Sequence, residues 1–98
     1  EHLTEQELSN HLEDCQILLR KDGILECIIP SAEYHILQLI FSEPGSIVFK
    51  NAFAGFNGWQ KGQDGGYWDV HKSTFTYSLI EYILSSHGFS VQFKKTAI

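Results

Sequence analysis

Basic residues are scarce in this chain, and so are cysteine, proline and methionine. Seven Lys and Arg stand against twelve Asp and Glu, a net charge of −5. A field of that sign disfavours nucleic acid and anionic membrane surfaces, both of which recruit positively charged protein. The adjacent basic pairs Arg20-Lys21 and Lys94-Lys95 are too small to reverse it. The two cysteines, Cys15 and Cys27, form no CxxC and have no histidines at zinc-finger spacing. They read as reduced, buried thiols of a cytoplasmic protein, and neither a metal nor a cofactor is expected. No apolar run approaches the roughly 20 residues of a membrane span. No secretory leader is visible in residues 1–98, nor an Asn-x-Ser/Thr site, internal repeat or low-complexity tract. Methionine is absent even at the first position, so a native start upstream of Glu1 is expected.

What remains is a chain of 98 residues, 43% hydrophobic and 13% aromatic but only 19% charged. That length makes one domain with a small core. The aromatic content argues against disorder. The low charge suggests apolar surface that something other than this chain covers.

Thr4-Glu5-Gln6-Glu7 is a capping box, with a Thr N-cap and a Glu three residues on. Leu8, Leu12, Cys15 and Leu19 then recur at helical spacing, and Gly23 is positioned to end that first helix. Ile24–Ile29 is β-rich and stops at Pro30-Ser31. Tyr34–Phe41 and Ser46–Phe53, separated by Glu43-Pro44-Gly45, read as a β-hairpin. Setting Ser42 opposite Ser46 pairs Phe41 with Ile47, Leu39 with Phe49 and His35 with Phe53 on one face. The other face pairs Ile40 with Val48 and Gln38 with Lys50. Ser73–His87 has the pattern of a second helix, closed by Gly88, and Phe89–Phe93 alternates like an edge strand. The order α-β-β-β-(loop or short β)-α-β predicts a single α+β domain over residues 1–98, with a mainly antiparallel sheet and two helices on one face. The second sheet face is unusually apolar for one that meets water. It carries Tyr34, Ile36, Ile40 and Val48, which predicts an interface there.

The segment Ala54–His71, AGFNGWQKGQDGGYWDVH, holds five glycines and both tryptophans of the chain. A backbone that bends freely and large rings that seek burial suit a cover, a dimer contact or a ligand loop. Trp59, Tyr67, Trp68 and Phe56 are its candidate contact rings, with Asn57, Gln60, Gln63 and Asp64 as polar partners for a sugar or planar ligand. Own-core packing or a protein interface is the stronger reading of such rings.

Within the segment, Asp69 and His71 would point to one side of an extended strand. A carboxylate beside an imidazole can orient a general base or supply two metal ligands. Two ligands are too few for a closed site, and Asp and His are ordinary residues ahead of a helix. Cys27 and His35, on adjacent expected strands, form a possible nucleophile–base pair, but no orienting acid or oxyanion hole accompanies them. Gly55-Phe56-Asn57-Gly58 and Gly62-Gln63-Asp64-Gly65 match GxxG without the basic flanks of a nucleic-acid clamp. Lys72-Ser73-Thr74 lacks the glycine spacing of a phosphate loop.

Three functional readings follow. The first is a small non-catalytic protein acting by association, as a homodimer, through the apolar sheet face and segment 54–71, with no nucleic-acid or membrane partner. The second is a small-molecule binding domain with an aromatic pocket from Trp59, Tyr67 and Trp68. The third is a hydrolase or transferase using Asp69 and His71, or Cys27 and His35.

Overall fold

The structure, a computed structural model, describes residues 1–59 and 70–93. Four helices follow one another: α1 Glu5–Leu18, α2 Ala32–Phe41, α3 Ile47–Asn57 and α4 Tyr77–Ser86. No strand occurs among the described residues. The expected α+β fold is therefore corrected to an all-helical one.

α1 starts where the capping box places it. The Glu7 amide donates to Thr4 Oγ1 at 3.2 Å, and the Thr4 amide donates to Glu7 Oε1 at 3.0 Å. The helix ends at Leu18, ahead of Gly23, because Leu19 is already extended with ψ 132°. Of its leucine stripe only Leu12 is fully buried.

The largest correction concerns the two central segments, which are helices and not a hairpin of strands. Each has a serine N-cap. Ser31 Oγ accepts from the Tyr34 amide at 3.3 Å, and Ser46 Oγ accepts from the Phe49 amide at 3.1 Å. Such a side chain satisfies one of the amides that a helix start leaves unpaired. Glu43-Pro44-Gly45 turns the chain, but between helices: Ser42 closes α2 by donating its amide to Gln38 O at 3.0 Å. Gly45 takes φ 91°, and the Ser46 amide donates to Glu43 O at 3.0 Å. Tyr34, Ile36, Ile40 and Val48 accordingly lie on helices, and the sheet face they were expected to share does not exist.

With α2 and α3 helical, the remaining expected strands lose their partners. A lone strand leaves a row of backbone groups without a ladder. Ile24–Ile29 and Phe89–Phe93 are both irregular. α4 begins four residues after Ser73, capped by Thr76, whose Oγ1 accepts from the Leu79 amide at 3.1 Å. It ends at the expected place, with Gly88 at φ 86°.

The α2–α3 hairpin is the centre of the fold. The buried apolar residues are Leu12, Ala32, Ala52, Ala54, Phe75 and Ile80. Half of these are alanines, which let backbones approach but bury little area. The segment before α4 ties to the start of α2: the Ala32 amide donates to Phe75 O at 3.0 Å, and the Tyr77 amide donates to Glu33 Oε2 at 2.9 Å. α1 meets α4 through His87. Its Nδ1 donates to Ile83 O at 2.7 Å, and its Nε2 shares a hydrogen bond with Ser9 Oγ at 3.1 Å.

Candidate functional site

Polar chemistry gathers where the chain start meets the end of α3. α3 closes at Asn57, and Gly58 at φ 82° redirects the chain. The segment from Val70 to Ser73 returns along this end. The His71 amide donates to Asn57 O at 3.1 Å. The Lys72 and Ser73 amides donate to Glu1 O at 2.7 and 3.1 Å, and Ser73 Oγ donates to Leu3 O at 2.8 Å. These bonds lay residues 1–3 alongside residues 70–73.

The result places Glu1, His2 and His71 together. One ligand-type atom from each lies within 4.8 Å of the others. The two imidazoles meet edge to face, with centroids 4.8 Å apart. His2 Nδ1 lies 3.2 Å from the Val70 carbonyl, to which it donates, and this directs the other ring nitrogen, Nε2, toward Glu1. Glu1 Oε1 is 3.5 Å from that Nε2.

Beside this cluster is a hollow of only about 10 Å³, bordered by Glu1, His35, Gly55, Phe56, His71 and Phe75. It has room for a single water at most. His35 faces it from α2. Its Nδ1 is buried without a hydrogen-bond partner. Desolvation holds this imidazole below its usual range, and the charge of His71 acts in the same direction. Glu33 has a similar orphan, Oε1, although its Oε2 is satisfied by Tyr77.

A second concavity of about 190 Å³ lies between α2 and α3, lined by Tyr34, His35, Gln38, Val48, Asn51 and Ala52. That is below the roughly 300 Å³ at which drug-sized ligand sites begin.

The sequence-based candidates separate. His71 and Phe56 border the small hollow. Asn57 ends α3, donating its side-chain amide to Phe53 O at 3.2 Å. Trp59 is exposed just beyond it. Tyr67, Trp68 and Asp69 lie outside the described residues, as does the Asp69 half of the Asp69–His71 pair.

Cys27 is exposed in the irregular segment before α2, and no hydrogen bond joins it to His35. Its thiol is pushed up by desolvation and then by the charge of Cys15. Both cysteines are free. The structure instead pairs Cys15 with His11, at 3.6 Å on the exposed side of α1. Glu1 and His2 were missed by sequence reasoning, because no local spacing links the chain start to His71.

Comparison with known proteins finds no matching family model, and no match among curated proteins or solved structures.

Proposed function

We propose that this protein works by association with a second copy of itself, through apolar faces of α2 and α3, as a binding component and not as an enzyme. The observation that carries this reading is the run of exposed apolar side chains on α2 and the start of α3; Ile17, Leu18, Ile24 and Ile28 are exposed as well, on α1 and the irregular segment after it. Leu37 is 54% exposed, Ile40 66%, Phe41 82% and Ile47 76%. At roughly 100° per residue, Ile36, Ile40, Leu37, Phe41 and Tyr34 follow one another over an arc of about 160° around α2. Ile47 and Val48, at the start of α3, are exposed too. Exposed apolar side chains clustered on one element of a small protein mark an interaction site.

Charge favours a second copy as the occupant. Residues 34–42 and 44–49 contain no Asp, Glu, Lys or Arg, with Glu43 confined to the turn between them, so these helix faces themselves carry no like charges to oppose in two chains of net charge −5. Two hairpins stacked in this way form a four-helix bundle, a common product of twofold assembly. No described helix is long and apolar enough to cross a membrane. Free Cys15 and Cys27 suit a reducing compartment, and we place the protein in the cytoplasm on that ground.

Sedimentation equilibrium from micromolar to millimolar protein tests the reading. The expected mass is twice the 11.2 kDa of the chain. A monomer across the whole range overturns it.

A further inference from the structure

We propose that Glu1, His2 and His71 bind a divalent transition-metal ion of the zinc class, clipping the segment ahead of α1 to residues 70–73 ahead of α4. This reading is independent of the dimer. Two imidazoles and one carboxylate are a donor set that zinc takes when it keeps an open position. The donor atoms are no further apart than 4.8 Å. A tetrahedral ion sets its ligands about 3.3 Å apart, so side-chain rotations of about 1.5 Å or less complete the site.

The surroundings prepare these donors. The bond from His2 Nδ1 to Val70 O orients the ring and leaves Nε2 as the nitrogen that faces Glu1 and would bind the ion. A backbone carbonyl in that role is the usual outer partner of a metal-binding histidine. His71 is held from its own backbone by Asn57 O, and Glu1 by the Lys72 and Ser73 amides. Three attachments therefore converge before any ion arrives, which lowers the ordering cost of binding. A chain of net charge −5 also attracts a cation.

Two other features of the chain compete for metal, and the experiment separates them. In the 98-residue chain the α-amine of Glu1 can itself chelate beside His2, so the chain is used with that amine acetylated. His11 and Cys15 form a second donor pair on α1. Zn²⁺ is titrated by calorimetry, and Co²⁺ serves as the visible-absorption probe. One ion per chain is expected, with a rise in the unfolding temperature that grows with free Zn²⁺. His2→Ala and His71→Gln should each weaken binding about tenfold or more, while His11→Ala leaves it unchanged. His2 is exposed at the chain start, so His2→Ala reads the site even where His71→Gln disturbs the fold. Three results overturn the proposal: no saturable binding up to millimolar Zn²⁺, binding lost in His11→Ala, or binding unaffected in either His2→Ala or His71→Gln.

Discussion

The imidazole of His35 on α2 fills the space beside Gly55 on α3: a Cβ added at Gly55 would run into the ring's Cε1 and Nε2. No side chain fits there while the ring stays in place, so this glycine sets how closely the two helices approach. Two effects oppose each other in Gly55→Ala. Helix propensity favours alanine by about 1 kcal/mol. Overpacking costs about 1–3 kcal/mol where a neighbour cannot move freely. His35 is half-buried in the hairpin, so overpacking should win, with a net loss of about 1 kcal/mol in denaturant unfolding. In a His35→Ala background the obstacle is gone and Gly55→Ala should become stabilising. A double-mutant cycle measures the sign change directly. If Gly55→Ala stabilises the otherwise unchanged chain, the ring swings away and does not gate the contact.

The serine caps decide between the helical hairpin and the strand hairpin that the side-chain pattern suggested. Ser31→Ala and Ser46→Ala each remove an acceptor for a first-turn amide. Each should cost about 1 kcal/mol, with a range of about 0.5–2 kcal/mol. Ser31→Asp and Ser46→Asp should retain most of the stability, because Asp caps as well as Ser. In a β-hairpin these positions lie outside or at the first residue of a strand, and alanine there would be close to neutral. Thermal unfolding followed by circular dichroism reads both sets.

The exposed face of α2 supplies a sharper test of self-association than mass alone. Leu37 and Ile40 both stand more than half exposed, so glutamate at either position leaves a single chain's fold intact. Across a twofold interface the same change places unpaired charge in a buried contact on both chains. Leu37→Glu and Ile40→Glu should each weaken the dimer about tenfold or more, a change of about 1.4 kcal/mol or larger. The helical circular-dichroism signal should persist in the separated chains. An unchanged association constant in both variants would show that this face is not the contact.

How much of this was legible in the residues depends on which signals were local. The capping box of α1 and the Gly88 end of α4 were readable because each is a short-range motif whose chemistry lies within one turn. Tyr34–Phe41 and Ser46–Phe53 were misread because short, nearly continuous apolar runs fit a strand and a helix equally well. Serine ahead of each run was the available discriminator, together with Ala52, Ala54 and Gly55, which suit close helix packing better than a strand. Pro44-Gly45 marked a true turn but not the kind of element on either side. The cluster of Glu1, His2 and His71 had no sequence signature at all. It forms because backbone bonds from Lys72 and Ser73 to Glu1 bring distant segments together, and such proximity is a property of the fold.

The capping box also makes the stability of α1 depend on pH. The Glu7 carboxyl is held below its ordinary value of 4.5, first by the backbone amide of Thr4, then by the Thr4 side chain, with a smaller contribution from Lys72. Lys72 Nζ lies 3.9 Å from Glu7 Oε1. A carboxylate lowered in the folded state binds its proton more weakly there than in the unfolded chain. Its stabilising contribution is therefore fully present above about pH 4.5, in the range where the unfolded group is also ionised. It is lost as pH falls through the lowered folded value. Denaturant unfolding should show this acid-side decline, and Glu7→Gln should flatten that part of the profile while leaving the neutral-pH amide bond from Thr4 largely in place. NMR titration of the Glu7 carboxyl checks the same point independently. A midpoint at or above 4.5 would mean that the carboxylate does not close the capping box in solution.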